Sequence, residues 1–192
     1  DSAPEVLEWH APVLVKTEEH ESVPAVFRER VKRGPREPMI ARKAQMGSTW
    51  REISAQDFLD EVNLVARGLI GLGLQPGDAI SIMSHTRYEW TLVDFAAWSA
   101  GLVVVPIDET SSVDQIKYIL EDADVKMVVT ETMVMAQLVQ AARVTLERSV
   151  QVLSLDNSAI MRITEAGAEV DEAEVDACIA GLNIHKPASI VY

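Results

Sequence analysis

Hydrophobic residues between positions 54 and 154 follow two alternating patterns. Four short, largely apolar runs at 79–83, 102–105, 125–129 and 150–154 are typical of strands covered on both faces. Between these runs, apolar residues return with the spacing of one helical face. The runs begin roughly every 23 residues, which predicts successive βαβ units. The predicted fold class is therefore α/β: a doubly wound, mostly parallel sheet with helices on both faces.

Local sequence signals predict where these elements begin and end. A hydroxyl side chain three residues ahead of an acidic or amide side chain has the spacing of a helix capping box. That spacing predicts helix starts at Ser54 with Asp57, Thr86 with Glu89, Ser111 with Asp114 and Ser112 with Gln115. A further helix is predicted over 132–147. Pro106 lacks an amide hydrogen for the ladder and is predicted to end the strand that starts at 102.

The amino-terminal flank is less regular. Residues 1–21 are predicted to form extended structure and loops, followed by a helix over 23–33 that Ser22 caps. Two short strands at 39–42 and 48–53, joined by a turn around Gly47, predict a small flanking layer at the edge of the domain.

The carboxyl-terminal flank is rich in acidic residues. The stretch 163–176 is expected to be irregular and solvated, with a short helix to about 182. The apolar run 189–192 is predicted to be a last strand. No low-complexity linker divides the chain, so residues 1–192 are expected to form one domain.

Composition narrows the classes of function. The net charge of −13 argues against the basic face that binds nucleic acid. The single cysteine, Cys178, excludes an internal disulfide and a multi-cysteine metal site and suits a reducing compartment. We therefore expect a cytoplasmic protein. This expectation is also compatible with peripheral contact with a membrane. No apolar run approaches the roughly 20 residues of a membrane span, and the first residues lack a signal-peptide pattern.

Ligands of open parallel sheets bind beyond the carboxyl ends of the strands. Those ends carry polar side chains at 84–87, 108–110, 130–131 and 156–157. Among them, His85 is a candidate acid or base, and Arg87 is a candidate contact for an anion. The alternative is that Ser84 and Thr86 cap the next helix while His85 is a solvated loop residue. Capping accounts for three of these loops without any ligand.

Other candidates have simpler structural explanations. Glu89 is interpreted as the capping partner of Thr86 rather than as a catalytic carboxylate. Asp108 directly follows a strand and is either a functional carboxylate or a turn residue, the turn being favoured. Cys178 lies on the apolar side of a weak predicted helix beside Val175, which favours a buried filler role.

Further patterns are weaker still. Trp90, Phe95 and Trp98 recur at helical spacing and are expected to face the core rather than to stack on a ligand. The histidines at positions 10, 20, 85 and 185 lack a second ligand at metal spacing. The glycines around 68–77 spell neither a dinucleotide fingerprint nor a Walker A loop.

Three stretches carry a specific family resemblance. They are Thr-Trp-Arg-Glu-Ile-Ser at 49–54 with the helix and strand over 66–83, Arg-Tyr-Glu-Trp at 87–90, and Ala-Gly-Leu-Val-Val-Val-Pro-Ile-Asp at 100–108. Together they resemble the amino-terminal part of the adenylate-forming enzymes, the superfamily of acyl-CoA synthetases, luciferases and peptide-synthetase adenylation domains. The following Glu-Thr-Ser-Ser at 109–112, Gln115 and the Tyr-Ile-Leu at 118–120 are most similar to long-chain fatty acid–CoA ligases, although those often have tyrosine where this chain has Asp108.

The resemblance implies that the parent protein is an ATP-dependent acid–thiol ligase acting on a long-chain fatty acid, with ATP, Mg²⁺ and CoA as cofactors. The family's phosphate loop begins with a tyrosine, and Tyr192 matches that first residue alone. The resemblance therefore assigns no catalytic, cofactor-binding or metal-binding residue within 1–192. This segment is expected to be scaffold from the large domain, inactive alone and prone to self-association.

Two alternatives stay open at this point. The parent could be an acyl-AMP ligase that passes its acyl group to a carrier protein, because the acceptor is not encoded in these motifs. The regular βαβ pattern also fits a non-catalytic doubly wound domain that binds a small ligand or a partner.

Overall fold

The computed structural model describes residues 16–44 and 49–192. This part of the chain forms a four-stranded sheet and a separate two-stranded sheet, with helices packed around them. The helices are α1 (Val23–Arg33), α2 (Ala55–Gly71), α3 (Tyr88–Ser99), α4 (Val113–Asp122), α5 (Met133–Arg143), α6 (Ala159–Ala166) and α7 (Glu172–Ala180). The strands are β1 (Pro38–Ala44), β2 (Thr49–Ser54), β3 (Ala79–Met83), β4 (Val103–Ile107), β5 (Val125–Thr130) and β6 (Gln151–Ser154).

The four-stranded sheet has the order β4-β3-β5-β6, and every neighbouring pair is parallel. The predicted fold class is thus confirmed. The chain passes from β3 outward to β4 and then crosses back over β3 to reach β5. The strand order therefore reverses between β3 and β5, which makes the carboxyl ends of these two strands the topological switch point of the sheet.

Alternate side chains of the sheet enter two separate cores. Ile80 and Ile82 of β3 belong to the core formed mainly with α2 and α3. Ala79 and Met83 of the same strand belong to the core formed with α4 and α5. Both faces of β3 are buried, which explains why its sequence is largely apolar, with Ser81 as its one polar residue.

The amino-terminal flank agrees with the sequence. Helix α1 has the predicted bounds, and the hydroxyl oxygen of Ser22 accepts from the amide of Ala25 at 3.4 Å. Strands β1 and β2 pair antiparallel; β1 extends beyond both predicted limits, and β2 lies over Thr49–Ser54 rather than 48–53. The turn predicted around Gly47 lies outside the described residues.

Two of the four predicted capping pairs are wrong, namely Thr86 with Glu89 and Ser111 with Asp114. Ser54 caps α2, and Ser112 forms the full capping box with Gln115 at the start of α4, as expected. Helix α3, however, begins after Arg87 and has no side-chain cap, so Thr86 and Glu89 do not form a capping box. The carboxylate of Glu89 instead accepts from Nε of Arg87 at 2.7 Å. A charge-assisted hydrogen bond of this kind is stronger than a neutral one, and it takes Glu89 away from the helix start.

Pro106 does not end the strand that contains it. Strand β4 continues to Ile107, with Pro106 opposite Ile82 of β3. The amide and carbonyl of Val104 bond outward to residues 188 and 190, at 3.0 Å each. Residues two apart present their backbone groups to the same side of a strand, so the missing amide of Pro106 also faces outward. An outward position on an edge strand costs no ladder hydrogen bond.

Helix α5 is shorter than predicted, since it ends at Arg143 rather than at 147. In the turn that follows, the guanidinium of Arg148 donates to the carbonyls of Leu120 and Val125. The turn carries Arg148 to carbonyls at the end of α4 and the start of β5. A helix continued through this segment would point the residue along the surface of α5 instead.

The acidic stretch predicted to be irregular contains most of α7 and the end of α6. Ile163 of α6 and Val175 of α7 are fully buried. A Cβ atom at Gly68 of α2 would lie 2.1 Å from the carbonyl oxygen of Ile163, so α6 packs directly on the backbone of α2 there. The predicted last strand is reduced to one parallel bridge between Val104 and Ser189.

Candidate functional site

The loops that follow β3 and β5 meet at the topological switch point. Ser84 to Arg87 form the loop between β3 and α3, and Glu131 follows β5 directly. Strand β5 pairs with β3 along its whole length, up to the pair Met83 and Thr130. This register brings the side chain of Glu131 beside the loop that contains His85.

His85 joins the carboxyl ends of three strands. Its Nδ1 lies 2.8 Å from Oε2 of Glu131, and its backbone amide donates to the same oxygen at 2.9 Å. Its Nε2 lies 3.6 Å from Oε1 of Glu109, the second residue after β4. The imidazole is 63% exposed, so it is open to solvent while both ring nitrogens face carboxylates.

Arg87 completes the arrangement on the other side of Glu131. Its Nη1 donates to Oε1 of Glu131 at 3.4 Å, while its Nε donates to Glu89. The hydroxyl of Ser84 is within reach of Oε2 of Glu131, at 3.3 Å. We call His85, Arg87, Glu89, Glu109 and Glu131 the switch-point cluster.

The contacts within the cluster shift the pKa values of His85, Arg87, Glu89 and Glu131 toward their charged forms. The hydrogen bond to Glu131, with the charge of Glu109, raises the pKa of His85 above its ordinary value of 6.5. Partial burial acts to raise the pKa of Glu131, but the bonds from His85 and the charge of Arg87 outweigh it, so this pKa is lowered. Partial burial also acts to raise the pKa of Glu89, but the hydrogen bond and the charge of Arg87 outweigh burial, so this pKa is lowered as well.

The charge balance limits what the cluster can bind. Three carboxylates face one guanidinium and one imidazole, so the cluster stays net negative even when His85 is protonated. A polyphosphate requires a net positive site, which these residues do not supply. Each carboxylate also has a cationic neighbour already, and no group of three metal-ligating side chains occurs among residues 16–44 and 49–192. The cluster therefore fits neither the phosphates of ATP nor Mg²⁺.

The cluster forms one wall of a cavity of about 680 Å³, a volume typical of small-molecule sites. The facing wall comes from β1 and β2 and carries Arg42, Lys43 and Trp50. Nζ of Lys43 lies 5.6 Å from the centre of the Trp50 ring, and the guanidinium of Arg42 lies 4.6 Å from the centre of the Tyr88 ring. The cavity thus has one acidic and one cationic, aromatic wall.

The arrangement can move a proton and can brace the loop. Glu131 holds Nδ1 of His85, which is the geometry that orients an imidazole for acid–base work. The same contacts tie the ends of β3, β4 and β5 together. His85 is a solvent-exposed loop residue, as the alternative interpretation expected, and it also contacts two carboxylates. The interpretation of Ser84 and Thr86 as helix caps is wrong.

The other sequence candidates lie apart from the cluster. Asp108 closes a local turn, because its Oδ1 accepts from the amide and hydroxyl of Thr110 at 2.8 and 2.5 Å. Cys178 is partly buried on α7, and burial raises the pKa of its thiol, which agrees with a filler role. Trp90, Phe95 and Trp98 pack against the core of α2 and α3, as the helical spacing predicted.

The sequence interpretation missed two features. Glu109 and Glu131 were recognised as strand-end residues but received no role, although they follow β4 and β5, the two strands that flank β3. Asp94 on α3 is buried with its Oδ1 lacking a hydrogen-bond partner, and burial raises its pKa to about 7. Its only sequence signal is a charge inside an apolar helix.

Within the described residues, no helix has both the length and the apolar character needed to cross a bilayer. A parallel doubly wound sheet with a polar cluster at its switch point defines a class of α/β ligand-binding domains. A family model described as AMP-binding enzyme matches residues 27–192. The chain therefore belongs to the AMP-binding enzyme family, and the resemblance seen in the sequence is confirmed.

The curated relatives that the chain matches include long-chain-fatty-acid–CoA ligases. The chain is 35% identical over 188 residues to the one called FadD15 of Mycobacterium bovis, which covers 96% of this chain and 31% of the relative. The chain thus spans about a third of the length of that relative.

Solved structures support the same fold. The structure of VinN superposes with a TM-score of 0.65 at 20% identity, covering 81% of this chain and 38% of VinN. A structure described as a putative long-chain-fatty-acid CoA ligase from Rhodopseudomonas palustris superposes with a TM-score of 0.61 at 19% identity, covering 70% of this chain and 32% of that one. At these identities the likeness establishes the architecture alone.

Proposed function

We propose that this chain is the amino-terminal scaffold of a long-chain fatty acid–CoA ligase. The observation that carries the proposal is the alignment to the M. bovis ligase, which extends over almost the whole chain. We propose that residues 1–192 form one domain, which belongs to the large domain of the enzyme. Its cytoplasmic location is also a proposal, supported by the single cysteine.

The proposed reaction has two steps. The fatty acid carboxylate attacks the α-phosphorus of ATP, forming an acyl–phosphate bond and releasing pyrophosphate. The sulfur of CoA then attacks the acyl carbon, forming a thioester and releasing AMP, while the thiol proton passes to solvent. Both steps need positive groups to stabilise charge on phosphate oxygens, and Mg²⁺ is the proposed metal. The acidic switch-point cluster does not suit that task, so we assign it no contact with ATP.

We assign the cluster a positioning role instead. His85, Arg87 and Glu131 connect the ends of the strands from which the loops of the switch point emerge. A ligand held at such a site depends on loops fixed to a fraction of an ångström. The cluster supplies these cross-strand contacts at the edge of the sheet where ligands of this fold bind.

The proposal is tested by palmitate-dependent exchange of pyrophosphate into ATP. We compare the 192-residue chain with the same chain joined to the remaining part of the M. bovis ligase. The chain alone is expected to show no exchange above background, whereas the joined protein is expected to exchange only when palmitate is present. Exchange by the 192 residues alone would contradict the scaffold role. A correctly folded joined protein without exchange would contradict the assignment to this ligase.

Weak self-association is part of the proposal. Several apolar side chains of α5 and the turn after it are exposed, with Val134 at 68% and Val144 at 79%. Exposed apolar area favours contact between copies. Light scattering over a hundredfold range of concentration is expected to show a rising mean mass, and a constant monomer mass would contradict this part.

A further inference from the structure

We propose that the strand pair β1 and β2 is a docking surface for an anionic lipid bilayer. We call the described residues of these strands, 38–44 and 49–54, the basic hairpin. In the docked state Lys43 and Arg51 contact lipid phosphates, and Trp50 enters the boundary between headgroups and acyl chains. The proposal goes beyond the proposed reaction and does not depend on it.

The charge of the chain is distributed unevenly along its length. Residues 28–52 contain eight of the 17 lysine and arginine residues and three of the 30 acidic residues, so this span has a net charge of +5. The whole chain has a net charge of −13, and the rest of it is therefore strongly acidic. An anionic surface attracts the first part and repels the second. Such a surface should therefore approach the molecule from the side of the basic hairpin.

The strand register concentrates cations in the basic hairpin. Arg42 lies opposite Arg51, and in the next pair Lys43 lies opposite Trp50. Like charges directly opposite each other destabilise a pair of strands. The guanidinium of Arg42 is stabilised by the Tyr88 ring, whose centre lies 4.6 Å away, whereas Arg51 is exposed. An anionic partner would relieve the repulsion between the two guanidinium groups.

Trp50 supplies the aromatic side chain that a membrane interface favours. Its side chain is 67% exposed, whereas the other described tryptophans, Trp90 and Trp98, pack against the core. Tryptophan is enriched at the boundary between membrane and water, where its ring meets both environments. Nζ of Lys43 lies 5.6 Å from the centre of the Trp50 ring. A lysine beside this ring can keep its charged end among the headgroups while its stem lies on apolar surface.

An anionic bilayer fits the basic hairpin better than a nucleic acid or an acidic protein does. A nucleic acid requires a basic face or stripe, whereas the basic hairpin offers three cations in two neighbouring residue pairs. A stable protein interface buries about 800 Å² on each partner, which is more than one end of a two-stranded hairpin presents. Attachment to a bilayer needs only a few cations and apolar or aromatic contact with the interface.

The test is cosedimentation of the 192-residue chain with vesicles of one-third phosphatidylserine and two-thirds phosphatidylcholine. Binding is expected to these vesicles and not to pure phosphatidylcholine, and it should weaken as salt is added. Each cation near an anionic bilayer strengthens binding roughly fivefold, so the double variant Lys43→Ala with Arg51→Ala should bind about 25-fold more weakly.

The matched control is Lys117→Ala with Arg162→Ala, which removes the same charge from α4 and α6. This control should weaken binding less than about twofold, because charges more than a Debye length from the bilayer are screened. Circular dichroism verifies that each variant is folded. A second readout uses lipids with brominated acyl chains, which should quench tryptophan fluorescence in the unmodified chain and not in Trp50→Phe.

A chain that does not bind the anionic vesicles would overturn the proposal. Equal weakening in the two double variants would also overturn it, because the attraction would then not be located in the basic hairpin. Quenching that persists in Trp50→Phe would exclude Trp50 as the inserted side chain. Tighter binding to a single-stranded oligonucleotide or to polyglutamate than to vesicles would assign the surface to a nucleic acid or an acidic protein instead. The assay contains no ATP, CoA or fatty acid, so its outcome is independent of the pyrophosphate exchange test.

Discussion

The loops after β3 and β4 lie side by side, yet they are held in different ways. In the loop after β4, Asp108 bonds to Thr110 and Ser112 bonds to Gln115, so these side-chain hydrogen bonds span three residues or fewer. The longer contact of this loop is the ion pair of Glu109 with His85, at 3.6 Å. In the loop after β3, the side chains bond to Glu131, more than 40 residues away. The first loop stabilises its own helix, whereas the second depends on the assembled sheet and links its strands.

The largest effect is expected for Glu131→Ala. The substitution removes the acceptor shared by His85, Arg87 and Ser84, so we expect the free energy of unfolding to fall by about 1.5 kcal/mol in urea denaturation. The control is Glu121→Ala on α4, whose contact with Lys117 is 3.9 Å long and exposed, and which should cost less than about 0.5 kcal/mol. Equal losses in the two variants would mean that the bonds to Glu131 stabilise the fold no more than an exposed helical ion pair does. The loop after β3 would then not depend on its cross-strand contacts.

A smaller loss is expected in the locally held loop. Ser112→Ala removes the cap of α4 and should lower the free energy of unfolding by about 1 kcal/mol. Ser111→Ala is the matched control, because Ser112 and not Ser111 is the N-cap. Amide hydrogen exchange at Gln115 should accelerate in the first variant alone. Acceleration in both would mean that the capping box is not what closes this loop.

The pH dependence of stability separates the two loops further. Because the pKa of His85 is raised above 6.5 in the fold, its contribution is fully present below pH 6.5 and is lost as the pH rises through the folded pKa. His85→Gln should flatten this decline in melting temperature, while Ser112→Ala should leave its slope unchanged. Identical pH profiles for His85→Gln and the unmodified chain would contradict the link between His85 and the carboxylates.

The smallest effect is expected for Thr86→Ala. The hydroxyl of Thr86 does not cap α3, so its loss should change the free energy of unfolding by less than about 0.5 kcal/mol. The measurement is the same urea titration used for Ser112→Ala. A loss near 1 kcal/mol would restore the capping box that the sequence predicted.

The starts of α3 and α4 show how much of the structure could be predicted from the sequence. Thr86 with Glu89 and Ser112 with Gln115 have the same spacing, and local rules treat them alike. Only the first pair has Arg87 between its members and Glu131 across the sheet, a contact that depends on strand order. The hydrophobic pattern, in contrast, predicted β3 and β5 closely, because burial on both faces leaves a largely apolar run.

Helix α6 and most of helix α7 were not predicted from the sequence. The contact of α6 with α2 depends on Gly68, where the backbones of the two helices meet. No side-chain pattern in the sequence predicts a contact between two backbones. The acidic sequence of α7 is also typical of a solvated loop. Pro106 shows the same dependence on tertiary context, because its effect is decided by the side of the strand that it faces.

The buried carboxyl of Asp94, whose Oδ1 lacks a hydrogen-bond partner among the described residues, couples folding to the uptake of a proton. Its folded pKa of about 7 lies above the ordinary 3.8, so between these values the folded chain holds a proton that the unfolded chain releases. Unfolding near pH 6 therefore transfers this proton to the buffer. The calorimetric heat of unfolding then includes the ionisation heat of that buffer, and it differs between phosphate and an amine buffer at the same pH.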